Sequence, residues 1–184
     1  MNSYVLKEKN MLCGSACLHY ISNVENSFNA FVFPDMEWIT ELAAFLGNNC
    51  KIPFTLSCYN SNLYSDFVKG VLPHDFIGYK KLKEYTINHP KILELKPSIE
   101  MFDDTSKIYI LNVSSKIIFN DNSLNGGHYI AIVGKTNNDF IVVNPGSTKI
   151  FLTTLNKNLV LNANLSFGGW VIHISKKEVP FRKF

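Results

Sequence analysis

Apolar residues at helical spacing predict three helices in the first half of the chain. The first covers residues 13–22 (CGSACLHYIS), with Cys13 at its start. The second follows Asp35, the expected N-cap, and runs through MEWITELAAFL to Gly47, the expected C-terminal glycine. A third is expected from Asp75 to about Asn88, where His89-Pro90 ends it. The buried face of the second helix should carry Ile39, Leu42, Ala43 and Leu46.

The pattern changes to that of β-strands in the second half. Residues 108–113, 128–133, 140–143 and 170–174 are rich in β-branched and aromatic side chains. The polar segment 134–139 between the second and third of these runs has turn chemistry, which predicts a β-hairpin. Helices followed by an antiparallel sheet predict an α+β fold, and residues 1–184 are expected to form a single domain.

Composition narrows the class of protein. An apolar fraction of 46% and an aromatic fraction of 13% in 184 residues are typical of one globular domain. The net charge of +3 is mild, and the basic C-terminal residues resemble a solvated tail, so no nucleic-acid partner is predicted. No run is apolar enough to span a membrane, and residues 1–10 lack a signal-peptide core. We therefore expect a cytoplasmic protein, with export by a signal-less route left open; the oligomeric state is not predictable.

Cysteine placement points to a reactive thiol. Of the four cysteines (Cys13, Cys17, Cys50 and Cys58), Cys13 lies where a loop becomes a helix. A helix start offers unpaired N–H groups and a partial positive charge, which favour thiolate over thiol. Gly14 next to it would let a substrate carbonyl approach the backbone N–H groups of an oxyanion hole. All four cysteines are expected to be free thiols or ligands rather than a disulfide framework.

A histidine and an asparagine are expected to meet across the predicted hairpin. His128 opens a strand after Gly126-Gly127, which should leave its imidazole accessible at the rim of a cleft. A turn centred within residues 136–138 places His128 opposite residues 144–147, a range that includes Asn144. The Asn144 amide oxygen would accept from one ring nitrogen and leave the other to take a thiol proton. Cys13, His128 and Asn144 thus form a candidate catalytic triad.

Two resemblances carry this interpretation further. The segments CGSACL, GGHYIAIVG and FIVVNPG resemble papain-like peptidases that remove double-glycine leaders from bacteriocins. The stretch from Trp38 through Thr55, with the later strands, looks like a papain-like family labelled guanylyl-cyclase-like. The resemblances imply a papain-like cysteine-protease fold, with N-terminal helices packed on an antiparallel sheet. They also imply acyl transfer through a thioester on a peptide or protein substrate, without metal or cofactor.

One residue type that this resemblance requires is missing. Papain-like enzymes place an oxyanion-donating Gln about six residues before the cysteine, and this sequence contains no Gln. Lys7 lies at that position and Asn10 lies closer to Cys13, so both are candidate replacement donors, together with backbone groups near Gly14 and Gly127.

Other interpretations of the same residues remain open. Peptide-bond hydrolysis leads, while a side-chain deamidase or an acyltransferase would use the same triad on another carbonyl. A binding module would keep the cleft without turnover. Cys13 is otherwise an ordinary buried thiol, or a zinc ligand with Cys17 and His128. Cyclase chemistry finds little support, because Asp103-Asp104 is the only pair of adjacent carboxylates and there is no phosphate-binding loop. Specificity would lie in the loops at 60–72 and 91–107.

Overall fold

The computed structural model describes residues 4–6, 12–24, 38–50, 53–59, 92–146 and 149–176. Within them, eight strands form one sheet in the order β1-β7-β6-β5-β4-β8-β2-β3. The strands are β1 (Tyr4–Leu6), β2 (Phe54–Cys58), β3 (Ile92–Glu94), β4 (Lys107–Ser114), β5 (Gly127–Lys135), β6 (Asp139–Pro145), β7 (Lys149–Asn156) and β8 (Val171–Ser175). The helices are α1 (Cys13–Val24), α2 (Ile39–Phe45), α3 (Ile99–Phe102), α4 (Ser115–Phe119) and α5 (Lys157–Leu165).

The mixed α+β class predicted from the sequence is confirmed, with two corrections. All four predicted strands are present, but the sheet is not wholly antiparallel, because β2 and β3 pair in parallel. The helices also do not all precede the sheet, since α3, α4 and α5 lie between its later strands. Two of these helices, α3 and α5, have side-chain caps at their first turn. Ser98 accepts from the Met101 N–H and Asn156 accepts from the Asn158 N–H, which satisfies amides at the first turn of α3 and α5.

The predicted hairpin is formed by β5 and β6. The Thr136 N–H donates to the Asp139 carbonyl at 2.8 Å and closes the turn. Ala131 then pairs with Val143, and Ile132 pairs with Val142. Continuing this register toward the start of β5 places His128 beside Gly146, within the range expected from the sequence.

The sheet has a core on each face. On one face, α1 and α2 pack against β-strand residues that include Tyr129, Ala131 and Val143. On the other face, α5 packs against a second set, which includes Ile130 and Val142. Alternation along each central strand divides its side chains between the two cores, so β5 is covered on both faces and paired along both edges.

The second helix begins and ends differently from the prediction. Helix α2 starts at Ile39, and the Trp38 N–H before it donates to the Glu41 carboxylate at 3.1 Å. Gly47 does not end the helix, because the chain continues as a π-helical turn over Leu46–Cys50. A Cβ on Gly47 would lie 3.2 Å from the Phe54 ring, so this glycine allows β2 to pack closely. Asp35 and the predicted helix over residues 75–88 lie outside the described residues.

A fully buried asparagine joins three parts of the second half. The Asn164 side chain, on α5, donates through Nδ2 to the Asn112 carbonyl at 2.8 Å and to the Trp170 carbonyl at 3.0 Å. Asn112 belongs to β4, and Trp170 directly precedes β8. The Asn112 N–H also donates to the Trp170 carbonyl at 3.3 Å. Asn164 therefore links α5 by hydrogen bonds to β4 and to the start of β8.

Replacing Asn164 should destabilise the fold. Asn164→Ala removes both hydrogen bonds and leaves buried carbonyl oxygens with fewer donors, so we expect the free energy of unfolding to fall by about 2–3 kcal/mol. Urea denaturation measures this difference. Asn162→Ala is the matched control, because Asn162 lies exposed on the same helix. Equal stabilities of the two variants would contradict this role for Asn164.

Candidate functional site

Helix α1 begins at the proposed nucleophile. The Ala16 N–H donates to the Leu12 carbonyl at 2.9 Å, which makes Cys13 the first residue of the helix. Cys13 is partly buried and packs against the core on the α1 face. The amides of the first turn point out of the helix start, where the helix dipole is positive. The position expected for Cys13 is therefore confirmed.

Cys17 lies one turn further along α1 and connects the helix to β5. Its thiol donates to the Tyr129 carbonyl at 3.5 Å and is fully buried. Tyr129 is the residue after His128 in the chain. Because helical residues four apart are neighbours about 6 Å apart, Cys13 lies roughly one turn from a thiol that contacts β5 next to His128.

Gly14 has a structural role. It is buried, and a Cβ placed on it would lie 2.7 Å from Cδ1 of Leu42 in α2. The missing side chain allows α1 and α2 to approach closely. This packing accounts for Gly14 without a substrate, and the expectation that it opens the backbone to a substrate carbonyl stays a prediction.

His128 and Asn144 form the predicted contact. His128 Nε2 lies 2.8 Å from Asn144 Oδ1. An amide oxygen only accepts hydrogen bonds, so the ring donates its Nε2–H to Asn144. A neutral imidazole held in this tautomer has its lone pair on Nδ1, the nitrogen that would accept a proton. This contact across the hairpin is the best-defined feature of the candidate site.

The surroundings of His128 are more enclosed than the sequence predicts. His128 is only 8% exposed, and the Phe119 ring lies 5.1 Å from its ring, centroid to centroid. The expectation of an open imidazole at a cleft rim is therefore corrected. Of the two preceding glycines, Gly126 borders open space, since a Cβ there would meet no atom within 4 Å.

Gly127 is required for packing. A Cβ on it would lie 2.8 Å from Asn112 Oδ1 and 2.8 Å from the Phe167 ring. The Asn112 side chain and the Phe167 ring therefore pack directly against the backbone of Gly127, the residue before His128. The structure thus gives Gly127 a role in packing β5 against Phe167, and its expected part in substrate binding stays a prediction.

Cys13 and His128 have different neighbours in the two cores of the sheet. His128 pairs with Val113 across β4 and β5, and Val113 belongs to the core on the α5 face. Asn144 shares that face, as its contact with His128 requires. Cys13 packs against the core on the α1 face. His128 is the second residue of β5, so its ring lies at the end of the strand, where the two faces meet.

A cavity opens beside Asn144. It has a volume of about 320 Å³ and is lined by Phe119, Asn144, Pro145, Gly146, Phe151, Leu152 and Thr153. Phe119 and Phe151 are 46% and 38% exposed, so the cavity presents two aromatic rings next to the His128–Asn144 pair. An apolar group of a ligand would be favoured there.

Two further sets of residues were named from the sequence: candidate oxyanion donors, and the adjacent carboxylates considered for cyclase chemistry. Lys7 and Asn10 lie outside the described residues, as does the predicted specificity loop at 60–72. Asp103 and Asp104 are occupied by ion pairs: Asp103 with Lys157 at 2.7 Å and Lys135 at 3.3 Å, and Asp104 with Lys107 at 3.2 Å. These contacts give both carboxylates a structural role.

The described residues show neither a metal cluster nor a membrane helix. No group of three or more His, Cys, Asp or Glu side chains in this part of the chain is arranged to hold a metal ion. None of its helices combines the length and apolar character needed to cross a membrane.

A second polar pair was missed by sequence reasoning. Ser57 Oγ and His173 Nε2 lie 2.6 Å apart, on the neighbouring strands β2 and β8. His173 belongs to no motif of the sequence. Its partner is 116 residues away, and no local motif marks such a contact.

Comparison with known proteins adds no family: no protein-family model, curated protein or solved structure matches this chain. The papain-like resemblance therefore remains a prediction that rests on the motifs.

The His128–Asn144 contact predicts a single imidazole tautomer. In neutral wild-type protein, long-range proton–nitrogen NMR should show His128 with hydrogen on Nε2. Asn144→Ala removes the acceptor, so the Nδ1–H tautomer should become populated. Asn158→Ala, an exposed change on α5, should leave the wild-type spectrum intact. A His128 spectrum unaffected by Asn144→Ala would show that the amide does not set the tautomer.

Proposed function

We propose that this protein is a papain-like cysteine hydrolase that cleaves a peptide or amide bond with Cys13, His128 and Asn144. The hydrogen bond between Asn144 Oδ1 and His128 Nε2 carries the proposal, because it leaves Nδ1 as the proton acceptor. The start of α1 contributes the second element, a thiol in the first turn of a helix that packs on β5.

The proposed reaction has two steps. His128 Nδ1 takes the Cys13 proton, and the thiolate attacks the substrate carbonyl, which forms a tetrahedral oxyanion. The carbon–nitrogen bond then breaks, and the leaving amine takes the proton from His128. Water adds to the resulting thioester, gives up a proton to His128 and releases the acid and the thiol. Backbone N–H groups at the start of α1 are the proposed oxyanion donors, because a helix start presents amides to negative charge.

The sheet sets a strict condition on this mechanism. His128 neighbours Val113 of the core on the α5 face and Cys13 packs on the α1 face, so the proposed mechanism needs the two side chains to meet at the N-terminal end of β5. We place the reacting atoms there, beside the open space at Gly126. This end of the strand is also adjacent to the aromatic cavity beside Asn144. A substrate would then lie across the strand end, with an apolar group in that cavity.

Selective alkylation tests the nucleophile. At about pH 6, limiting iodoacetamide should label Cys13 first, because a thiolate is the reactive form. Cys17 is fully buried, and burial together with Glu94 raises the pKa of Cys58 to about 11, so both should react slowly. Peptide mass mapping identifies the labelled thiol. His128→Ala should slow the labelling of Cys13, whereas His19→Ala is the matched control. Indifferent labelling of all thiols would refute the proposal.

Turnover of a generic peptide or thioester substrate tests the triad. Cys13→Ala should abolish turnover, because it removes the nucleophile. Asn144→Ala should lower kcat by about 10- to 100-fold, less than the loss of the whole base, since the amide orients the ring without neutralising it. Thr154→Ala, an exposed change on β7 outside the cavity, is the control. Unchanged rates in Asn144→Ala beside full loss in Cys13→Ala and His128→Ala would reduce the site to a dyad.

A further inference from the structure

A second cavity lies on the sheet at a distance from the proposed active site. It has a volume of about 460 Å³ and lies among β2, β3, β4, β8 and α3. Lys107 borders it, six residues before Val113, the partner of His128 on β4. At about 3.3 Å per residue, the two sites are roughly 20 Å apart along that strand. They share one face of the sheet but lie at opposite ends of β4.

The polar groups of this cavity are arranged in two adjacent rows. Thr55 pairs with His173 across β2 and β8, and Lys107 pairs with Ser175 across β4 and β8. His173 and Ser175 are two residues apart in β8, so all four side chains lie on the same face. All four border the cavity. Two hydroxyl groups, an ammonium group and an imidazole thus converge on one space.

These groups favour a negatively charged ligand. Lys107 contacts Asp104 at 3.2 Å, but an ammonium group has three donors, so it can also bind a second anion. Thr55 and Ser175 each add a hydroxyl donor. No carboxylate lines the cavity among the described residues. A carboxylate fits this arrangement, because it accepts from the ammonium group and a hydroxyl at the same time.

His173 is positioned as a neutral hydrogen-bonding group. Burial, with the nearby charge of Lys107, lowers the pKa of His173 to about 4. Its Nε2 contacts Ser57, and its ring packs edge to face on Tyr109 with centroids 5.4 Å apart. These contacts hold the ring in place. Its Nδ1 has no hydrogen-bond partner among the described residues, so it remains available to a ligand.

The other wall of the cavity is apolar and partly exposed. Leu93 and Leu95 are 49% and 41% exposed, and Met101 lies beside them. A ligand with an apolar body would cover these side chains and remove their surface from water. The volume is in the range of small-molecule sites, roughly 300–1,000 Å³.

We propose that this cavity binds a small amphipathic carboxylate, with its anionic group on Lys107 and Ser175 and its apolar body on Leu93, Leu95 and Met101. The same chemistry is offered by an alkyl acid and by the terminal carboxyl of a peptide. Binding in this cavity does not involve Cys13. The binding proposal and the hydrolase proposal can therefore be tested independently.

Calorimetric titration of the full chain tests the site. Octanoate should bind saturably, and octan-1-ol, its neutral counterpart, should bind at least about tenfold more weakly, because it cannot pair with Lys107. N-acetyl-leucine and its amide repeat the comparison for a peptide terminus. Tighter binding of N-acetyl-leucine than of octanoate would identify the peptide source, and the reverse would identify an alkyl acid. Equal binding of acid and neutral partner in both pairs would overturn the proposal.

Two pairs of variants locate the binding. Lys107→Met keeps the alkyl stem and should weaken octanoate about tenfold, whereas Lys116→Met, on α4, should have no effect. Leu95→Glu adds a negative charge to the wall and should also weaken binding, whereas Leu124→Glu, at another exposed leucine, should not. Cys13→Ala should bind as the wild type does. Unchanged affinity in both Lys107→Met and Leu95→Glu would show that the carboxylate binds elsewhere.

Discussion

The burial of β5 on both faces governs the arrangement of the candidate active site. Its odd-numbered residues, Tyr129 and Ala131, pack under α1, while Ile130 and Ile132 pack under α5. A shift of one residue in the register would exchange the two sets and expose both cores, so the pairing of β5 is strongly specified. The same alternation sets the direction of the His128 side chain. The contact with Asn144 follows, because β6 pairs with β5 in the same register.

The same constraint limits what the site can do. His128 is the second residue of β5, so its side chain lies at the end of the strand, where the proposed mechanism needs it to meet Cys13. Phe119 and the neighbouring strands shield the ring, which strengthens the hydrogen bond to Asn144 by excluding water. Gly14 and Gly127 were predicted to lie beside the substrate, and in the structure their missing side chains allow close packing. The Leu42 side chain packs against Gly14, and the Phe167 ring packs against Gly127. Catalysis, as proposed, is confined to the strand end near Gly126.

Some polar residues of the molecule stabilise the fold, and others border a cavity that can bind a ligand. Asn164 satisfies two backbone carbonyls in the core, and Asp103 joins α5 to β5 through Lys157 and Lys135. The donors around the second cavity differ, because Thr55, Lys107 and Ser175 border a space that no described carboxylate lines, and the Lys107 ammonium group keeps donors beyond its contact with Asp104. A polar group that is already paired contributes to stability, and a group that faces an open cavity has capacity for a ligand.

Local features of the sequence predicted the start of α1 at Cys13, the four main strands and the His128–Asn144 contact. They were predictable because a helix start and a tight hairpin depend on residues close in the chain; His128 and Asn144 are 16 residues apart. Strand β7 was missed, since its burial alternates weakly. Helices α3 and α4 were missed because they have only four and five residues, and α5 because asparagines interrupt its apolar pattern. Only the tertiary structure decided that Gly14 packs on Leu42, that His128 is enclosed, and that Ser57 meets His173 across 116 residues. Such contacts depend on which strands become neighbours in the sheet, and that choice is made by burial of the whole core rather than by any local motif.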